Sequence, residues 1–189
     1  MKKTFFILLL FFVSINLIAQ EHLAFKGIPI EGSMTEFCQK LNAKGFASIG
    51  TENNMSLFAG GFTGHNVTVG VTATDDGKNV FGVFVLFDPS GEWNTLVNTY
   101  DYYKDLYTRK YGRAIMSKEE NPSYSDSNIA LMAEVHKGRV VYKSVWKVEG
   151  GDIQLSIEKS SGVYEGMVMI LYRDSQNVEE KIKNDLEDI

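Results

Sequence analysis

The chain has 189 residues, of which 44% are hydrophobic, and it carries 24 acidic and 19 basic side chains for a formal net charge of −5. This length and composition suit one globular domain with a sizeable core. The acidic balance argues against function classes that need a broadly basic surface, namely binding to nucleic acid or to anionic lipid.

The first segment has the features of a secretory signal. Lys2 and Lys3 precede an unbroken apolar run over residues 5–13, which has the usual length for a signal and is too short to span a bilayer. We therefore predict a signal peptide over residues 1–19, with a membrane anchor as the alternative. The mature domain, residues 20–189, is then periplasmic or secreted, has no membrane span, and carries 17 basic against 24 acidic residues.

A capping box, Ser33 with Glu36, opens the first predicted helix. The helix has an apolar stripe at helical spacing, and Gly45 follows it as a stop; the stripe consists of Met34, Phe37, Cys38 and Leu41. Alternating or continuous apolar runs then predict strands over residues 57–62, 66–74 and 80–87. Residues 75–79 predict a hairpin turn, because they combine Asp, Gly and Asn without the closing acidic residue of a calcium loop.

The second half begins with a helix that starts near Pro89 and ends at Gly112. Its predicted buried stripe consists of Trp93, Leu96, Val97, Tyr100, Tyr103 and Tyr107. Residues 113–135 are rich in Ser and charged side chains, so we predict a long exposed loop. Further strands are predicted over residues 139–148, 152–159 and 163–173, and a short closing helix within the acidic tail, residues 174–189.

The two halves share an internal pattern. Residues 64–88 align with residues 150–174 without a gap, mainly through alternating apolar positions, and a shared strand period alone is the competing explanation. The pattern predicts an α+β fold of two tandem α-β-β-β units, residues 33–88 and 89–174. These units should form an antiparallel sheet with helices packed on one face.

This tandem arrangement over residues 33–174 resembles the beta-lactamase-inhibitor-protein-like architecture, whose single units also occur in small outer-membrane assembly lipoproteins. The opening stretch, residues 22–33, looks like the start of uncharacterised secreted proteins of Gram-negative gut bacteria. The resemblance implies the tandem architecture and carries no catalytic signature. The chain departs from the inhibitor pattern because Cys38, its only cysteine, leaves the inhibitor's two disulfides without a counterpart.

Ser-x-x-Lys, a serine acylase pattern, occurs at Ser144–Lys147 and Ser156–Lys159, but both lie in predicted strands, where positions i and i+3 face opposite sides, so we interpret both as chance. Cys38 lies on an apolar helical stripe without a local histidine, which predicts a buried and inert thiol. The histidines, His22, His65 and His136, lack zinc-ligand spacing. We therefore expect no catalytic residues, no metal and no cofactor, and a protein that is not an enzyme.

Strand parity predicts which side chains face away from the helices. If the odd-numbered Glu165 and Arg173 face solvent, so do the other odd positions of that strand and their repeat equivalents. The predicted binding residues are Phe81, Val83, Val85, Phe87, Lys143, Lys147, Met167, Met169 and Leu171. A one-residue bulge would reverse the parity and bury these residues.

An exposed apolar sheet face favours recognition of an extracytoplasmic protein or peptide. The alternatives are self-association through this face, an envelope assembly or structural factor, and a small secreted hydrolase.

Overall fold

A computed structural model describes residues 21–52, 55–187 and 189. The predicted signal peptide, residues 1–19, lies outside the described residues. The helices are α1 (Met34–Ala43), α2 (Trp93–Tyr111), α3 (Asn128–His136) and α4 (Ser175–Glu187). The strands are β1 (Ala24–Phe25), β2 (Ile28–Pro29), β3 (Ala47–Glu52), β4 (Met55–Phe62), β5 (His65–Ala73), β6 (Val80–Phe87), β7 (Met116–Glu120), β8 (Val141–Val148), β9 (Gly151–Lys159) and β10 (Gly166–Asp174).

Eight strands form one open antiparallel sheet in the order β3-β4-β5-β6-β10-β9-β8-β7, and β1 pairs with β2 in a separate hairpin. Strands from the first half of the chain occupy one side of the sheet, strands from the second half occupy the other, and β6 pairs with β10 at the centre. Helix α1 contacts β5, and α2 contacts β8, β9 and β10. The predicted α+β class with an antiparallel sheet and packed helices is confirmed.

The sequence patterns account for the two main helices. In α1, the Ser33 hydroxyl accepts a hydrogen bond from the Glu36 amide (3.3 Å) and the Glu36 carboxylate accepts one from the Ser33 amide (3.2 Å), so the predicted capping box is present. These bonds from Ser33 also lower the pKa of Glu36. In α2 the predicted stripe is buried except for Val97, which is partly buried.

Five elements were not predicted: the short strands β1 and β2, the edge strands β3 and β7, and helix α3. Strands β3 and β7 are the two edges of the sheet, and their side chains are exposed throughout. The prediction of three strands in each half is therefore one strand short. The predicted loop over residues 113–135 is wrong in part, because it contains β7 and α3. Helix α3 is capped by Ser127 and buries Met132 and Val135.

A β-bulge reverses the predicted parity in the first half. Thr72 pairs with Gly82 while Ala73 pairs with Val80, so Phe81 is an extra residue in β6. Val83 and Val85 are consequently fully buried in the core and Phe87 is 6% exposed. The exposure predicted for these three residues is therefore wrong, and Phe81 at the bulge is only partly exposed.

In the second half, β10 runs without a bulge, and the predicted parity is correct there. Val168 and Ile170 are buried, whereas Met167, Met169 and Leu171 alternate with them and are partly exposed.

An N-terminal arm, residues 21–30, completes the core. Phe25, Ile28 and Ile30 belong to the buried cluster, and Phe25 packs edge-on against Tyr172 at 5.3 Å between ring centroids. The buried Asp174 carboxylate accepts hydrogen bonds from the amides of Leu23 (2.9 Å) and Asn177 (3.0 Å). One side chain therefore joins the arm, the end of β10 and the first turn of α4.

Helix α4 confirms the predicted closing helix. The Asn177 amide donates to the carbonyls of Ile30 (2.9 Å) and Val80 (2.8 Å), and Asn79 donates to Glu180 (2.8 Å). These bonds hold α4 beside the β5–β6 turn, at one end of the sheet.

Candidate functional site

The first candidate surface is the side of the sheet opposite the helices, here called the open face. Leu57, Gly70, Phe84, Leu171, Gln154 and Val145 lie in register across β4, β5, β6, β10, β9 and β8. The next row contains Thr68, Leu86, Met169, Ser156 and Lys143. The apolar members are partly exposed and none belongs to the hydrophobic core. We call Leu57, Phe84, Leu86, Val145, Met167, Met169 and Leu171 the open-face patch.

Of the nine predicted binding residues, the structure therefore places three in the patch: Met167, Met169 and Leu171. Lys143 borders the patch, because it lies in the row of Met169. Lys147 lies one row beyond the row of Leu171, and it donates to the Ser175 hydroxyl at 3.1 Å. Phe84 and Leu86 are patch residues that the parity argument missed, because it carried the second-half numbering across the bulge.

Two polar side chains are set within the patch. Ser156 is 2% exposed, and its hydroxyl has no hydrogen-bond partner among the described residues. Gln154, in the neighbouring row, is 8% exposed. A buried hydroxyl without a partner is unfavourable, so a ligand group that bonded to it would be stabilised. Lys143, beside Ser156, makes no ion pair within the described part of the chain.

The second candidate surface is a groove of about 960 Å³ on the helix side of the molecule. It runs between the second half of α2, the N-terminal arm, and the β4–β5 and β8–β9 turns. We call it the aromatic groove, because its lining includes the rings of Phe62, Tyr103, Tyr107, Tyr111 and Tyr172. Its charged lining residues are Glu21, His22, Lys26, Lys110, Lys147 and Glu149.

The groove tyrosines differ in how their hydroxyls are satisfied. The Tyr103 hydroxyl bonds to the Thr63 hydroxyl, which in turn donates to the Phe62 carbonyl at 2.9 Å. The Tyr107 and Tyr172 hydroxyls bond to each other. Burial raises the pKa of both Tyr107 and Tyr172, so both phenols stay protonated at neutral pH and can act as donors.

The surroundings of Cys38 disfavour a reactive thiol. Cys38 is partly buried, and burial raises the pKa of its thiol, which keeps it in the unreactive neutral form. His22 lies 3.1 Å from Asp174 and 3.6 Å from Glu31, and His136 packs on Tyr164 at 4.9 Å between rings. Within residues 21–52, 55–187 and 189, no group of three or more His, Cys, Asp or Glu side chains could hold a metal ion.

The groove was not predicted from the sequence, although one signal was available. Tyr103, Tyr107 and Tyr111 follow at i, i+4 and i+8 and so share a face of α2. The predicted buried stripe of α2 includes Tyr103 and Tyr107 but not Tyr111. That the N-terminal arm forms the opposite wall depends on a contact between distant parts of the chain, which periodicity does not show.

No protein-family profile matches the chain, and no curated protein or solved structure matches it either. In the described part of the chain, none of the helices has both the length and the apolar character that crossing a membrane requires.

Proposed function

We propose that the protein is a secreted, non-enzymatic binding module that recognises an extracytoplasmic protein or peptide through its open face. The observation that carries this proposal is the open-face patch, a set of partly exposed apolar side chains on β4, β6, β10 and β8 that lie outside the core. Apolar surface of this kind is unusual on a monomeric soluble protein and typically marks an interaction site.

The shape of the patch favours a protein or peptide over a small molecule. The patch spans six neighbouring strands, and at about 4.8 Å per strand this is a width of roughly 25 Å. Methionine side chains such as Met167 and Met169 adapt to an uneven partner surface. Lys143, which makes no ion pair with any described residue, favours a partner that places an acidic group beside the patch.

We also propose that the fold contains a duplication. Three buried positions of β5 correspond to three of β9 at a constant offset of 86 residues: Val67, Val69 and Val71 with Ile153, Leu155 and Ile157. Gly64 and Gly150 both adopt positive φ, +87° and +76°. These matches support two tandem units and the beta-lactamase-inhibitor-protein-like architecture, in which the bulge at Phe81 distinguishes the first unit.

The test is capture from native envelope and culture medium, followed by measurement of affinity for the purified partner. The variant Leu86→Asp/Met169→Asp places two charges in the patch without altering a core residue. We expect its affinity to fall at least about tenfold, because apolar anchors dominate such interfaces. The matched control is Ile129→Asp on α3, an exposed apolar residue outside the patch.

Thermal melting of each variant keeps the result interpretable. If the double variant is unfolded, Thr68→Arg places one charge in the same row at a position that is already polar. Unchanged affinity in a folded patch variant would contradict the proposal. A partner found only in the envelope fraction would favour an assembly factor, and a dimer that dissociates in the patch variant would show self-association.

A further inference from the structure

We infer that the aromatic groove is a second binding site, for a small molecule that carries one negative charge on an aromatic or apolar body. This site is separate from the proposed function, because the groove lies on the helix side of the sheet and shares none of the patch residues.

Aromatic rings on the floor of the groove would contact the aromatic or apolar part of such a ligand. Tyr107 and Tyr111 stack with centroids 5.9 Å apart and an interplanar angle of 19°, and Phe62 and Tyr103 stack at 5.9 Å and 26°. Both ring pairs line the groove. Concave sites with an aromatic lining and a few polar groups are the usual form of small-molecule pockets.

A hydrogen-bond donor is available at the floor. Tyr107 and Tyr172 together have two hydroxyl hydrogens, and their mutual bond uses one of them. No other bond involving either hydroxyl is found within the described residues, so the second hydrogen remains available to an acceptor. Both tyrosines are more than nine-tenths buried, where an unmatched donor is costly and a charged acceptor is most favourable.

The charges at the rim favour an anionic acceptor. Lys26 and Lys110 line the groove, and neither makes an ion pair within the described part of the chain. Lys26 is the first residue of the two-residue β1–β2 turn, whose geometry accounts for its φ of +52° and presents its side chain at the groove. Glu21 and Glu149 also line the groove and disfavour polyanions, which is why the inferred ligand has a single charge.

The test compares two fluorescent probes with similar rings, 8-anilinonaphthalene-1-sulfonate, which is anionic, and N-phenyl-1-naphthylamine, which is neutral. We expect the anionic probe to bind the wild-type protein. Lys26→Gln/Lys110→Gln should weaken that binding about tenfold and change binding of the neutral probe less than about twofold. Lys159→Gln, which alters an exposed lysine outside the groove, is the control and should behave as wild type.

A second variant tests the donor. Tyr107→Phe/Tyr172→Phe removes two oxygen atoms and keeps the rings, so it should weaken the anionic probe and spare the neutral one. Failure of the wild type to bind the anionic probe, or equal binding by the lysine variant, would overturn the inference. Loss of probe binding in Leu86→Asp/Met169→Asp would also overturn it, because the probe would then occupy the open face.

Discussion

Replacement of Asp174 by Asn should destabilise the protein strongly, because this buried carboxylate bonds two amides at once. One oxygen accepts from Leu23 and the other from Asn177, and the side chain is fully buried. Asparagine keeps one acceptor oxygen and turns an NH2 group toward the other amide. The loss of a hydrogen bond to a charged group, together with two buried donors that face each other without an acceptor, should lower the free energy of unfolding by about 3 kcal/mol.

The melting temperature should fall by about 6–12 °C, because each kcal/mol corresponds to roughly 2–4 °C in a protein of this size. Thermal and urea denaturation measure the loss, and hydrogen exchange should show faster exchange at the Leu23 amide. Asp88→Asn is the matched control, since Asp88 is the predicted repeat equivalent and is exposed. It should change stability by less than about 0.5 kcal/mol. Equal melting temperatures for the two variants would refute the role assigned to Asp174.

Three further predictions concern neighbouring residues or matched positions. In urea denaturation, Val85→Ala should lower the free energy of unfolding by about 2–3 kcal/mol and Leu86→Ala by less than about 1 kcal/mol, because only Val85 faces the core. The reverse order would contradict the bulge at Phe81. Gly64→Ala should lower the free energy of unfolding by about 1 kcal/mol because of its positive φ. Gly150→Ala should lower it at least twice as much, because a Cβ there would lie 2.3 Å from the Glu21 carbonyl oxygen. Equal losses would argue against this packing of the arm. Burial raises the pKa of Tyr100 to about 12, so the stability that this group contributes is present below about pH 10 and is lost as the pH rises toward 12. Denaturation measured at each pH should show a smaller alkaline loss of stability in Tyr100→Phe.

The elements with a strong residue pattern could be predicted from the sequence. The first helix was recognised from its capping box, and its buried Phe37 and Leu41 fit the 3.6-residue period. The strand pairs of the two central hairpins were recognised from alternating or continuous apolar residues. In these segments local preference and burial point to the same structure.

The edge strands could not be predicted in the same way. In β7 the sequence Met-Ser-Lys-Glu-Glu has no apolar alternation and every side chain is exposed, so only its backbone pairing with β8 makes it a strand. Helix α3 was missed for a different reason. Its residues are apolar and it has a serine cap, but the surrounding charged and Ser-rich segment was interpreted by composition alone.

The candidate surface shows how one residue can change a prediction. The patch residues of β10 were identified correctly, because the alternation in that strand is regular. In β6 the extra residue Phe81 moved every following side chain to the opposite face, so Phe84 and Leu86 replace the predicted Val83 and Val85. Apolar residues occupy both faces of β6, so hydrophobicity alone did not reveal the change.

The central pairing of β6 with β10 has a consequence for folding. Every other pairing in the large sheet joins strands that follow each other along the chain, whereas this one joins Leu86 to Met169 and Gly82 to Arg173. These partners are 83 and 91 positions apart, and the entropy lost in closing so long a loop must be overcome before the contact gains any energy. We therefore expect each half to collapse locally first, and the joining of the two halves at β6 and β10 to limit the refolding rate.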